Sequence, residues 1–124
     1  MATDAERIMK DFFAALNSHD VEKIASFFTD DCIFEDVCGG AVYRGQEALK
    51  AQARAVLTAV PDLHLKIESL FAAGDWLGCE WIETGTKAGR RFSVRGASIV
   101  ELEGNKVRRE SMYCHFDGAT WLDS

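Results

Sequence analysis

The chain has 124 residues, which is enough for one domain with its own hydrophobic core and too few for two. Hydrophobic residues make up 48% of it and charged residues 27%, a balance that argues against a disordered chain and is typical of a globular protein. The formal net charge of −6 disfavours nucleic acids and anionic membranes as partners, because both are negatively charged. The first residues lack the pattern of a signal peptide, so we expect a cytoplasmic protein.

The potential metal ligands are scattered along the chain. The four cysteines include no C-x-x-C pair, so reduced thiols are expected at Cys32, Cys38, Cys79 and Cys114. No P-loop, dinucleotide-binding or G-x-S-x-G motif is present. We therefore expect neither a metal nor an organic cofactor.

The start of the chain predicts two helices. Thr3 and Glu6 form a capping box, in which each side chain satisfies a free backbone N–H at the start of a helix. Apolar residues then recur at helical spacing: Ile8, Met9, Phe12, Phe13 and Leu16. Asp20 is the predicted N-cap of a short second helix. Its predicted apolar face comprises Val21, Ile24, Ala25 and Phe28.

A first strand and a loop are predicted next. Asp30 and Asp31 are expected to end the second helix, and residues 32–37 to form the strand. The glycines that follow predict a loop that holds Tyr43 and Arg44.

The remaining pattern predicts one more helix and four strands. A third helix is expected over residues 46–60, where Pro61 ends it because proline cannot donate to the helical ladder. From Leu63 the apolar period changes from 3.6 to 2, which is typical of half-buried antiparallel strands. Further strands are expected over residues 76–85, 91–103 and 106–116. Residues 1–124 are therefore predicted to form one α+β domain, a cone-shaped half-barrel whose bent antiparallel sheet wraps around three helices.

Asp36 is the leading candidate for a catalytic residue. It ends an apolar strand just before a glycine loop, where a carboxylate can face a cavity. Apolar walls such as Phe12, Phe34 and Trp81 would raise its pKa toward that of a useful general base. The alternative is an exposed acid that caps the turn at residues 39–40.

Glu83 and Glu110 are two further candidate acids. Glu83 shares a strand face with Trp81, and Glu110 shares one with Met112. Two carboxylates in one apolar cavity would push their pKa values apart, so that one acts as acid and the other as base. The alternative for Glu110 is a cross-strand ion pair with an arginine.

Several segments resemble one family. Residues 12–20, 27–36 and 43–45 resemble the ketosteroid isomerases and SnoaL-like polyketide cyclases of the nuclear transport factor 2-like superfamily. Residues 81–86 and 116–122 resemble SnoaL-like proteins in particular. The resemblance implies the cone-shaped fold and a homodimer, but it specifies the reaction poorly, because the fold hosts isomerases, cyclases, hydrolases and binding proteins.

The resemblance assigns expected roles residue by residue. Asp36 falls where ketosteroid isomerases keep the aspartate that moves a proton beside a carbonyl. Phe12 and Ser98 occupy the positions of the two oxyanion donors, and losing one such donor typically costs on the order of 10²–10³ in rate. Efficient steroid isomerisation is therefore not expected.

The epoxide hydrolase pattern of the same superfamily is also incomplete. Trp81 stands at its arginine position, Glu83 at one aspartate position and Cys114 at the water-activating aspartate. Both alignments place one set of side chains on the concave side of the sheet with Asp36: Trp81, Glu83, Ser98, Glu110, Met112 and Cys114.

The sequence thus predicts a cofactor-independent isomerase or cyclase that acts on a small hydrophobic molecule, polyketide-, steroid- or terpenoid-like. Asp36 would be the general base and Glu83 or Glu110 the acid. The predicted substrate-binding residues are Phe12, Phe34, Tyr43, Trp81, Ser98, Met112 and Cys114, with Arg44 a further polar candidate. The alternatives are a non-catalytic binding or assembly module and an epoxide hydrolase-like enzyme.

Overall fold

The computed structural model describes residues 4–114. Thr3 of the predicted capping box, the expected end of the last strand at Phe116 and the segment 116–122 lie outside the described residues. Within them the elements are α1 (Asp4–Ser18), α2 (Val21–Ala25), β1 (Phe28–Asp36), β2 (Ala41–Arg44), α3 (Gly45–Ala59), β3 (His64–Ala73), β4 (Trp76–Lys87), β5 (Arg90–Glu103) and β6 (Lys106–Cys114).

The strands form one sheet in the order β2-β1-β6-β5-β4-β3. Strands β3 to β6 are the antiparallel meander that the alternating pattern predicts. The sheet is not wholly antiparallel, because β1 pairs with β6 in parallel. Parallel pairing needs a long connection, which β2, α3 and the meander supply.

Register shifts interrupt three strand pairs, and such irregularities bend a sheet. Within residues 4–114 the edge strands β2 and β3 do not pair with each other, so the sheet stays open. Helix α1 packs against β3, α3 against β1, and α2 against α3. The predicted α+β class, a bent open sheet with helices on one side, is confirmed. No helix in the described part of the chain has the length and apolar character that crossing a membrane requires.

A side-chain clamp fixes α1 on the sheet. The Nδ2 of Asn17 donates to the Leu65 carbonyl at 2.8 Å, and its Oδ1 accepts from the Leu65 N–H at 2.8 Å. One amide therefore satisfies both backbone groups of a residue on the edge strand β3. This contact holds α1 beside the strand that carries Leu65.

Two predictions about the segment after α2 are wrong. Phe28 begins β1 instead of extending the second helix, and Asp30 and Asp31 lie inside that strand. The helix ends at Ala25 because the chain then joins the sheet, where Phe28 pairs with Val107. Pairing with a residue so distant in sequence overrides the local helical pattern.

The predicted loop after β1 is largely a strand. Residues 41–44 form β2, and Tyr43 pairs with Phe34 across a hairpin. The turn between the strands includes Gly40 at φ +73°, a left-handed conformation that glycine adopts without strain. The glycines therefore form the turn itself, and the residues after them return to the sheet.

Candidate active site

Side chains of four strands point to the helix-facing side of the sheet, where directly paired residues form rows across the strands. Residues that pair directly across strands point to the same face. One row consists of Cys79, Ser98, Met112 and Asp36. The neighbouring row consists of Leu77, Val100, Glu110 and Phe34. Asp36 and Glu110 thus lie on adjacent rows of adjacent strands.

A cavity of about 150 Å³ lies between these rows and the helices. Its wall is mostly apolar and includes Phe12, Phe34 and Trp81. Three carboxylates also line it: Asp36, Glu83 and Glu110. No lysine, arginine or histidine of the described residues belongs to the wall. The cavity therefore combines apolar surface with acids that no basic side chain neutralises.

Asp36 caps a turn and faces the cavity at the same time. Its Oδ1 accepts a hydrogen bond from the Gly39 N–H at 2.9 Å. A Cβ atom at Gly39 would lie 2.6 Å from the Asp36 Oδ2, so only glycine fits beside this carboxylate. The capping role that the sequence offered as an alternative thus coexists with a place in the cavity wall.

Glu83 is a half-buried acid on β4. Burial and, to a smaller extent, the negative charge of Asp36 together raise its pKa to about 7. The charge on Asp36 therefore favours the protonated form of Glu83.

Glu110 is the most deeply buried of the three acids, with 6% of its surface exposed. Burial raises its pKa to about 7, against the opposing effect of a hydrogen bond from the Ser98 side chain. The expected alternative, an ion pair with an arginine, is not found among the described residues. Arg108 and Arg109 pair instead with Glu101 and Glu35.

Ser98 connects Glu110 to a tryptophan. The Trp81 Nε1–H donates to the Ser98 Oγ at 3.0 Å, and both side chains are buried. Because its oxygen already accepts from the indole, the Ser98 hydroxyl can donate to Glu110. A Cβ at Gly96 would lie 2.3 Å from the Trp81 ring, so this glycine provides the space that the indole occupies.

A second, smaller chamber of about 30 Å³ adjoins the carboxylates. Its wall consists of Asp36, Cys38, Trp81, Glu83, Val94, Met112 and Cys114. The Cys38 thiol donates to the Cys114 carbonyl at 3.0 Å and accepts from the Cys114 N–H at 2.9 Å. Burial raises the pKa of the Cys114 thiol to about 12. All four cysteines are free thiols.

With this geometry established, the family can be assigned. A family model described as the SnoaL-like domain matches residues 9–110. The chain belongs to the SnoaL-like family. The resemblance to SnoaL-like proteins that the sequence analysis describes is therefore confirmed.

Individual relatives of this SnoaL-like protein agree with the assignment. Cyclase aurE of Calcarisporium arbuscula is 32% identical over 115 residues, which cover 86% of this chain and 85% of the relative. A protein of Catenulispora acidiphila DSM 44928 with a ketosteroid isomerase-like fold, solved in complex with trimethylamine, has a TM-score of 0.84 at 20% identity. That similarity covers 94% of this chain and 89% of the other.

A protein of Shewanella putrefaciens CN-32 described as a SnoaL-like polyketide cyclase has a TM-score of 0.85 at 16% identity. That similarity covers 99% of this chain and 96% of the other. The two structures show that the fold is shared.

The structure brings most of the predicted site residues of the SnoaL-like protein together. Phe12, Phe34, Trp81, Ser98 and Met112 line the main cavity with the three acids, and Cys114 lines the smaller chamber. Two predicted contacts lie elsewhere. The ring of Tyr43 stacks on Phe34 at 6.0 Å between centroids and is not part of either wall, and Arg44 is exposed just before α3.

Several wall residues were not predicted as part of the site, among them Gln52, Cys38 and Val94. Gln52 lines the main cavity from α3, on the same helical face as Leu49, Ala53 and Val56, and this spacing was a usable signal. Cys38 and Val94 line the smaller chamber. Their positions depend on strand pairing, which the sequence alone did not indicate.

Proposed function

We propose that this SnoaL-like protein is a cofactor-independent enzyme of the cyclase or isomerase type, which moves protons on a small hydrophobic molecule. Family membership and the identity of 32% to a cyclase support this type of activity. The observation that carries the proposal is the convergence of Asp36, Glu83 and Glu110 on one largely apolar cavity. Such a group of acids can hold one member charged and another protonated at the same pH.

Asp36 is the proposed general base and Glu83 the first proposed acid. In the reaction a C–H bond beside a carbonyl breaks, its proton moves to Asp36, and the electron pair moves toward the carbonyl oxygen. A protonated Glu83 or Glu110 then donates to that oxygen, which stabilises the developing negative charge. The pKa of about 7 for both glutamates supports these donor roles, because each is substantially protonated at neutral pH.

The proposed ligand is neutral where it is buried. An apolar cavity of about 150 Å³ is of the size that takes a benzene-sized molecule. A buried anion would face three acids without a basic partner. Burying an unpaired charge in this way costs roughly several kcal/mol. We therefore expect the cavity to accept a single neutral ring or an equivalent chain and to reject a buried carboxylate.

Deuterium exchange on cyclohexanone tests this proposal without knowledge of the natural substrate. The protein should accelerate incorporation of deuterium beside the carbonyl in D₂O, measured by mass spectrometry. Asp36→Asn should lower this rate by about 10²- to 10⁴-fold, because the amide cannot act as a base. The matched control is Asp30→Asn, which changes an exposed acid on the same strand. Equal rates in wild type and Asp36→Asn would remove Asp36 from the mechanism.

A second candidate is a module that binds a small molecule without turnover. The observation that favours it is the place of Phe12 at an expected oxyanion-donor position, buried within an aromatic cluster with Phe13, Phe27 and Phe28. A phenyl ring cannot donate a hydrogen bond to a developing oxyanion. Saturable binding of cyclohexanone without any enhanced exchange would support this candidate.

A further inference from the structure

The smaller chamber shares four wall residues with the main cavity: Asp36, Trp81, Glu83 and Met112. Asp36 and Glu83 line both spaces, whereas Cys38, Val94 and Cys114 line the smaller chamber alone. A molecule that fills the main cavity can therefore contact both carboxylates while the chamber also borders them. The chamber volume of about 30 Å³ is sufficient for a water molecule, which needs roughly 10–15 Å³.

The polar groups of the chamber suit one water. A buried water needs two to four polar partners. The Cys38 thiol is already hydrogen-bonded to the backbone of Cys114, and the Trp81 N–H is hydrogen-bonded to the Ser98 hydroxyl. The Oδ1 of Asp36 accepts from Gly39, which leaves its Oδ2 and the Glu83 carboxyl as the available partners.

We infer that the smaller chamber binds one water molecule, which passes protons between Asp36 and Glu83. The binding site stands on the chamber geometry, whereas the proton transfer rests on the proposed function. After one turnover Asp36 holds the proton taken from carbon, and Glu83 has given its proton to oxygen. The water accepts the Asp36 proton and releases another of its protons to Glu83. Both acids return to their starting states and no water is consumed.

This arrangement explains how the site is reset while a ligand or product fills the main cavity. A water in the chamber would stay in contact with both carboxyl groups, because both line the chamber as well as the main cavity. The relay therefore needs no third titrating side chain.

Two valine variants test the water site without a substrate. Val94 pairs with Glu83 across β4 and β5 and lines only the chamber. Val94→Ile adds one methylene to the chamber, whereas the control Val56→Ile adds one to the main cavity. Crystal structures at a resolution that shows ordered water should contain a water within about 3.2 Å of both carboxyl groups in wild type and in Val56→Ile. Val94→Ile should lose it.

Titration of Glu83 by carbon NMR gives a second readout. Loss of the water removes a donor from the charged carboxylate, so the Glu83 pKa should rise in Val94→Ile and stay unchanged in Val56→Ile. A wild-type crystal without water between the two carboxyl groups overturns the inference, whether or not Val94→Ile folds. This result is independent of the exchange assay with Asp36→Asn, so failure of the water site and failure of the proposed function are distinguishable.

Discussion

Glu110 lies almost completely out of water, with the Ser98 hydroxyl as a hydrogen-bond partner and no paired arginine among residues 4–114. Its pKa of about 7 in the folded protein exceeds the ordinary value of about 4.3 for an unfolded glutamate. Between these two values the folded state binds more protons than the unfolded state. Stability is therefore highest at low pH within this window and falls as the pH rises through 7.

The variant Glu110→Gln should remove this part of the pH dependence. In the wild type we expect Glu110 to contribute a loss of about 1.4 kcal/mol in unfolding free energy per pH unit between the two pKa values. Urea unfolding at pH 5 and pH 8 measures the effect. The control is Glu103→Gln, an exposed glutamate of β5 that should keep the wild-type dependence. The same dependence in Glu110→Gln as in wild type would contradict a raised pKa at this position.

The three acids could be predicted from the sequence, but the hydrogen bonds around them could not. Asp36, Glu83 and Glu110 could be named because each shares a strand face with apolar side chains, and the two-residue period survives folding. The bond from Trp81 to Ser98 could not be predicted, because it depends on strand register and on the space that Gly96 leaves. Hydrogen bonds between side chains far apart in sequence carry no local pattern.

Asn17 joins two elements that position the cavity, α1 and β3. No local sequence pattern indicates this contact, although the Asn17 side chain hydrogen-bonds to both backbone groups of Leu65. Asn17→Asp keeps the acceptor and loses the donor to the Leu65 carbonyl. We expect Asn17→Asp to lower the unfolding free energy by about 1–3 kcal/mol, because a partly buried carbonyl loses its partner.

Urea unfolding of Asn17→Asp and Asn17→Ala measures this cost. Asn17→Ala, which removes both hydrogen bonds, should be destabilised as well. Lys10→Ala, which changes an exposed residue of the same helix, indicates the cost of an unrelated substitution there. Wild-type stability in Asn17→Asp would show that the clamp does not hold α1 on β3.

Helices and strands with a long periodic pattern could be predicted from the sequence, whereas short segments without such a pattern could not. Helices α1 and α3 and the strands β3 to β6 follow from sustained periods of 3.6 and 2. Strand β2 has four residues, and its assignment comes from pairing with β1. The start of β1 was assigned to a helix for the same reason, since its partner Val107 is far away in sequence.

At the scale of the whole molecule, the outer face of the sheet exposes large apolar side chains. Phe71 is 61% exposed, Trp76 48%, Ile99 42% and Tyr113 46%. Phe71 and Ile99 are neighbours, because the Phe71 ring lies over Gly78, which pairs with Ile99. Charges of both signs border the patch, including Glu101 and Arg109. We propose that a second copy of the chain covers this face, because a two-fold axis would bury the same apolar patch on both copies.

Analytical ultracentrifugation of Ile99→Lys tests the proposed dimer. Wild type should sediment as a dimer, and Ile99→Lys as a monomer, because a charge in the centre of an apolar interface is costly. The control is Val42→Lys, which changes a valine of similar exposure on the distant edge strand β2. A wild-type monomer at every concentration, or a dimer that Ile99→Lys leaves intact, would contradict this proposal.

The account depends most on two protonated glutamates beside Asp36 in one cavity. Carbon NMR titration of the side-chain carboxyl groups tests it directly, in wild type and in Asp36→Asn. Glu83 and Glu110 should both titrate near pH 7, and the Glu83 pKa should fall in Asp36→Asn because the neighbouring negative charge is gone. If both glutamates titrate near the ordinary value of about 4.3, the cavity holds no proton donor and the acid–base account is wrong.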